Sequence, residues 1–224
     1  MQITKLTDRN IMFTTLESAD SNVHMGLILG ANRNFIIDTG IGGDCVKTML
    51  DYIGNDSKPI VVINTHHDWD HVAGNWVLEN SAIVAHKDCP ELMEKNFEAQ
   101  LAWAKENGRY SLGEVRKCLP NLLFEGTYHF PEDSITIFHT PGHTPDSICV
   151  YDAIDKVLYA GDACFFDKDG ATYLGDNEDL SGFQNLIDAL KPYDIDICVT
   201  GHWEPAKNAV ALLEAEMEAL AKGR

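Results

Sequence analysis

Apolar residues come in short runs along the first third of the chain. Ile11–Leu16 and Val23–Leu29 have strand character, and Asn34–Asp38 follows before Thr39-Gly40. The gaps between them hold Gly30, Asn32 and Asn34, which suit hairpin turns. From Asp44 to Ile53 the spacing turns helical, with Val46, Met49 and Leu50 on one face. Ile60–Ile63 is a continuous apolar run, read as a buried strand leading straight into Asn64-Thr65-His66. Residues 87–118 read as a helical insertion beside the core, with Phe97, Leu101 and Trp103 as a small core of its own. Strand patterns resume at Ser134–His139, Ile148–Tyr151 and Val157–Ala160. Asp179–Leu190 is a predicted helix stopped near Pro192, and Ile195–Val199 is another buried strand. Pro205–Lys222 is a closing amphipathic helix, with Pro205 suited to its first turn and Gly223 to its stop. This succession predicts two layers of sheet with helices outside them. No repeat or low-complexity linker divides the chain, so residues 1–224 are expected to form one domain.

Composition narrows the partners. The 224 residues are 45% hydrophobic and 23% charged, ordinary values for a globular protein. A net charge of −18 repels phosphate backbones and anionic lipid, so neither nucleic acid nor membrane is expected as a partner. The N-terminus lacks a basic stretch before an apolar core, and no apolar run approaches the roughly 18 residues of a membrane span. A cytoplasmic location and a small-molecule substrate are the resulting expectations. A homodimer is the default assembly. The six cysteines, Cys45, Cys89, Cys118, Cys149, Cys164 and Cys198, are scattered and read as buried thiols.

The chemistry concentrates in His66-His67-Asp68-Trp69-Asp70-His71. Imidazole and carboxylate are standard ligands of divalent transition metals. In an extended segment, residues 66, 68 and 70 point the same way. His71 joins them if the chain then turns into a helix. Three further pieces each place a ligand type just after a predicted strand: Thr140-Pro-Gly-His143, Tyr159-Ala-Gly-Asp162 and Thr200-Gly-His202. Ligands at the ends of several strands converge on one edge of a sheet, a rigid base for a site.

These four pieces, in this order, together with Asp38-Thr39-Gly40, resemble the motifs of the metallo-β-lactamase superfamily over about residues 11–205. The resemblance implies an α+β four-layer αββα sandwich, two mixed β-sheets with helices on the outer faces. It implies two divalent metal ions. His66, Asp68 and His143 would hold the first, Asp70, His71 and His202 the second, and Asp162 would bridge them. It further implies hydrolysis of a small ester, thioester, lactone or amide by a metal-bridging hydroxide. Asp70 and Asp162 are then the catalytic carboxylates, with Asp70 orienting the nucleophile.

One position departs from the family's H-x-H-x-D-H pattern: Asp68 stands where a second histidine belongs. A carboxylate hardens the first site, so iron or manganese competes with zinc as the expected metal. A carboxylate there resembles the di-iron domain of flavodiiron proteins, where the residue is usually glutamate. The alternative function is therefore a non-hydrolytic di-iron protein that binds or reduces dioxygen or nitric oxide. His67 could supply the missing imidazole after a local backbone shift, although alternation points it away. Tyr173, shortly after Asp162, is a weaker candidate for contact with substrate. His86 and His139 read as strand-end residues, and His24 and His129 match no motif. Trp69 and Trp203 flank ligands as pocket walls or as core. After His202 comes one acidic helix with only Lys207, Lys222 and Arg224 basic, a poor receptor for glutathione carboxylates.

Overall fold

A computed structural model describes residues 1–19, 21–167, 170–173, 175 and 180–222. The expected helix start at Asp179, the stop at Gly223 and the basic Arg224 lie outside the described residues.

The chain begins with β1 (Gln2–Lys5), β2 (Asn10–Leu16), β3 (Asn22–Leu29) and β4 (Asn34–Ile37), paired antiparallel in that order. Helix α1 (Gly43–Ile53) crosses over to β5 (Ile60–Ile63), parallel to β4. A short helix, α2 (Trp69–Val72), and a 3₁₀ turn at Asn75–Leu78 lead to β6 (Ala82–His86), again parallel. Helix α3 (Cys89–Glu106) returns the chain to β7 (Leu122–Phe124), which completes a seven-stranded mixed sheet.

The second sheet has five strands, in the order β14 (Ile197–Val199), β11 (Val157–Tyr159), β10 (Ile148–Asp152), β9 (Ile135–His139) and β8 (Thr127–Phe130). The β11–β14 pair is parallel and the others antiparallel. A hairpin of β12 (Cys164–Asp167) and β13 (Gly170–Tyr173) stands beside it. Helices α4 (Ser181–Leu190) and α5 (Ala209–Ala221) close the chain.

Alternation along the strands explains the layering. In β4, Phe35 and Ile37 enter a core shared by the two sheets, with Ile137, Val150 and Tyr159 coming from the second sheet. Ile36, between them, faces the other way, into a core with Cys45, Val46, Met93 and Phe97 from α1 and α3. On the far side, Phe138 and Leu158 pack with Phe183, Leu186 and Leu213 of α4 and α5. Three cores between four layers form the expected αββα sandwich. Gly26 of β3 leaves room for the ring of Tyr159 from the second sheet. A Cβ there would lie 2.4 Å from a ring carbon of Tyr159.

The expected helical insertion at 87–118 needs correction in two respects. Only Cys89–Glu106 is helical, and this helix is the crossover between the parallel strands β6 and β7. Phe97 does not form a separate small core. It is buried in the main one beneath the seven-stranded sheet. Parallel strands need such a crossover. Strands β1, β7 and β8 lie at the margins, where exposed residues such as Ile3, Leu123 and Tyr128 blur alternation. No helix among the described residues is long and apolar enough to cross a membrane.

Candidate metal centre

The ligand types sit where four strands end on one edge. Strand β5 delivers Thr65-His66, β9 leads to His143, β11 to Asp162 and β14 to His202. Backbone hydrogen bonds tie these ends together. Ile148 N–H donates to the Thr65 carbonyl (2.8 Å), Gly201 N–H to Gly161 (2.7 Å) and His24 N–H to Gly201 (2.7 Å). Asp68 precedes α2 with an extended backbone. The helical turn then swings Asp70 and His71 inward.

All seven proposed ligands converge. His66, Asp68 and His143 form one cluster with ligand atoms within 4.8 Å of one another, and Asp70, His71 and His202 form another. His66, His71 and Asp162 make a third, between them. Asp68 Oδ2 lies 3.3 Å from His66 Nε2 and 3.1 Å from His143 Nε2. Asp162 lies 3.4 Å from both His71 Nε2 and His202 Nε2. The His202 nitrogen is also 3.4 Å from Asp70 Oδ2.

The protons can be placed. Asp38 accepts from the Thr65 N–H (2.7 Å), the Thr65 hydroxyl (2.7 Å) and His71 Nδ1 (2.8 Å). Because the Thr65 hydroxyl donates to Asp38, it accepts from His66 Nδ1, 3.1 Å away. His202 Nδ1 donates to the Asn22 carbonyl. With Nδ1 engaged outside the cluster, three imidazoles turn Nε2 toward it, the nitrogen each would offer a metal that displaces its proton.

The residues fit metal ions by a second criterion. His66 Nε2, His71 Nε2 and Asp162 Oδ1 are buried without a hydrogen-bond partner. Such atoms cost about 1–3 kcal/mol each unless satisfied. A cation between them satisfies all three, and the carboxylates of Asp68, Asp70 and Asp162 supply the negative field. Burial opposes the charge on Asp162, but His71 and His202 outweigh it and hold its carboxyl well below the usual range. Burial likewise opposes charge on His202, and Asp162 and Asp70 overcome it, raising its pKa to about 10.

Other candidates fall elsewhere. His67 turns away from the cluster. Its Nδ1 donates to buried Asp146 (2.8 Å) and its Nε2 accepts from Asn96 (3.0 Å), so it does not replace the missing imidazole. Tyr173 does not reach the cleft as expected: it is 3% exposed and stacked on Phe183 at 4.7 Å. Its hydroxyl lies under Gly142, supporting the loop that carries His143. His86 ends β6, stacked on His139, and His139 Nε2 donates to the Pro145 carbonyl (2.7 Å). Cys164 is buried, as expected of a core thiol.

A cleft of about 490 Å³ opens beside the cluster, lined by Asp68, Asp70 and His202 together with Glu17, Trp69, Ala99, Gln100, Trp103 and Arg109. Trp103 is 53% exposed on its wall, with the Arg109 guanidinium 5.7 Å from its ring. Arg109 also pairs with Glu17 at 2.6 Å. Sequence reasoning missed Glu17, Asn96, Gln100, Arg109 and Asp146, because only folding brings them to the site. It also passed over His24, which bonds the Trp203 carbonyl and so braces the loop holding His202.

A family model described as "Metallo-beta-lactamase superfamily" matches residues 19–202. The chain belongs to this superfamily. Acyl-coenzyme A thioesterase MBLAC2 of Gallus gallus is 24% identical over 206 residues, 82% of this chain and 73% of that protein. The human protein of the same name is 23% identical over 65% of this chain and 59% of its own length. A hydroxyacylglutathione hydrolase of Pelagibacter ubique is 28% identical over 46% of this chain and 36% of its own. Among solved structures, the metallo-β-lactamase from Pontibacter korlensis superposes with a TM-score of 0.73 at 20% identity, covering 100% of this chain and 99% of that one. At that identity the likeness shows the fold alone. The expected metal-dependent hydrolase is borne out by this family and by relatives named as hydrolases.

Proposed function

We propose that this chain hydrolyses a thioester with an apolar acyl group, at two divalent metal ions held by His66, Asp68, Asp70, His71, His143, Asp162 and His202. The observation that carries this reading is the convergence of those seven side chains at one end of an aromatic-walled cleft. The relatives named acyl-coenzyme A thioesterase and hydroxyacylglutathione hydrolase both act on thioesters by name, which narrows the substrate class.

Two bound ions supply an activated water and a Lewis acid for the carbonyl oxygen. His66, Asp68 and His143 would hold one ion and Asp70, His71 and His202 the other, with Asp162 between the two sets. Asp70, kept ionised by His71 and His202 against its burial, accepts a hydrogen bond from the nucleophile. It then holds the released proton beside the leaving sulfur. A thiolate is a good leaving group near neutral pH, so this proton transfer need not be complete. Trp69 and Trp103 give the acyl chain an apolar wall. Arg109 is the one arginine or lysine lining the cleft among the described residues, and Glu17 already engages it. A polyanionic carrier is therefore held outside the cleft, with only its thioester end inside.

The test is elemental analysis of protein purified anaerobically without added metal, then a thiol-release assay on acyl thioesters of increasing chain length. Two zinc or manganese ions and turnover that rises with acyl length are expected. Two irons, an oxygen-sensitive spectrum and no thiol release would favour the di-iron reading that the harder Asp68 ligand suggests.

A further inference from the structure

Asp68 has an unusual pair of obligations. It is the residue before α2, the N-cap position, where an aspartate ordinarily turns its carboxylate onto the helix's own free N–H groups. Here it makes no such capping bond. The first free N–H, that of Trp69, donates instead to Gln100 Oε1 on α3, at 3.1 Å. This bond settles which way the Gln100 amide faces. Its Nε2 then donates to Asp68 Oδ1 at 2.5 Å. The other oxygen, Oδ2, is left facing His66 and His143, at 3.3 and 3.1 Å.

We propose that Gln100 is a positioning residue for the first metal: it takes over the cap of α2 and holds one oxygen of Asp68, so that Asp68 offers a single oxygen to the ion. The inference rests on the metal-site reading above. It explains how a carboxylate serves where the family pattern has histidine. An imidazole has one lone pair to aim, whereas a free carboxylate has two oxygens and can swivel, chelate or fold back onto the helix. Gln100 removes that freedom through its amide, which donates to Asp68 while accepting from Trp69 N–H. Neighbouring His67 comes only to within 3.5 Å of the same oxygen, through an Nε2 that already accepts from Asn96 while its Nδ1 donates to Asp146. Gln100 belongs to α3, so the crossover helix that walls the cleft also sets the ligand geometry.

Gln100→Glu tests this directly. The new carboxylate still accepts from Trp69 N–H but cannot donate to Asp68, and it sets a like charge beside it. Zinc would be titrated into metal-free protein against a chromophoric chelator. One of two binding steps should weaken by about 10- to 100-fold and the other hold, while the melting temperature of the metal-free protein stays as in the natural chain. Gln100→Met, which removes the donor without adding charge, should weaken the same step. In a D68H background, Gln100→Glu should cause no weakening, because a carboxylate orients an imidazole ligand well. Natural affinity in both single variants overturns the proposal. So does equal weakening in both backgrounds, or a metal-free Gln100→Glu protein that melts early. If the unsubstituted chain binds no zinc, iron or manganese, the underlying metal-site reading fails instead.

Discussion

Gly201 sits so close to the cluster that a Cβ there would lie 2.0 Å from Asp162 Oδ1 and 2.7 Å from His71 Cε1. Gly201→Ala should therefore push the Asp162 carboxylate out of place. Metal analysis should find it depleted, with a fold that circular dichroism cannot tell from the natural chain. Asp38 works from the opposite side. It orients His71 directly and His66 through Thr65, so Asp38→Ala leaves two imidazoles free to choose the wrong tautomer. A loss of about 10- to 100-fold in metal affinity is expected, and chelator competition would show it. Unchanged affinity would mean that Asp38 serves only the backbone of the β4 turn, where its φ is 60°.

A third residue shows the pH behaviour away from the metals. Asp133 is buried and accepts from Asn32 N–H (2.6 Å) and Arg33 Nη1 (2.8 Å), pinning the β3–β4 turn to the loop before β9. Burial opposes its charge, but those donors prevail and lower its pKa. The folded value therefore lies below the unfolded one. The stabilisation is complete above the ordinary carboxylate pKa of about 4 and is lost as pH falls through the folded value. Asp133→Asn should destabilise at neutral pH by roughly 1–3 kcal/mol, the cost of unpaired buried partners. It should also flatten the acid limb of a stability–pH curve measured by urea unfolding.

At the scale of elements, α3 does three jobs. Its inner face, with Met93 and Phe97, fills the core under the seven-stranded sheet. Asn96 and Gln100 reach His67 and Asp68, and Trp103 walls the cleft. These roles fall to different residues of one helix, so they can be separated by substitution. Trp103→Ala should raise KM for long acyl thioesters several-fold and leave short ones and metal content near natural values. A matching loss for every chain length would place Trp103 outside acyl recognition. The helical spacing of 87–118 was legible. Its face toward the ligands was not, since polar residues such as Asn96 and Gln100 read as solvated surface until the opposite element is known. The opposite error arose at Tyr173, polar enough to suggest a substrate contact yet stacked in the core on Phe183.

For the whole molecule, metals held by the proposed ligands would join the two halves of the sandwich. His66, Asp68, Asp70 and His71 come from the first sheet and its helix, whereas His143, Asp162 and His202 follow strands of the second. Ions that bind this arrangement and not the unfolded chain stabilise it by mass action, by about 4 kcal/mol at a thousandfold excess over Kd. Removing metal with a chelator should lower the melting temperature by roughly 10 °C, and adding it back should restore the loss. An unchanged transition by calorimetry would argue against ions that span both halves.

The layered fold and the candidate ligands that converge in it were both readable from the linear chain, for a common reason. Continuous apolar runs at β4, β5, β10 and β11 are long enough to declare buried strands, and each ligand follows its strand by only a few residues. Local pattern therefore carries strand and ligand together. Strand β7 and the β12–β13 hairpin match β11 and β5 in length but mix exposed with buried positions, so no buried run declares them. The tautomers of His66 and His71, the turning away of His67, the aiming of Asp68 by Gln100 and the Glu17–Arg109 pair were decided by tertiary structure alone. Each depends on two groups that are distant in sequence, as Gln100 is 32 residues from Asp68 and Arg109 is 92 from Glu17. Residue type announces which atoms can donate or accept, but only packing decides which of them meet.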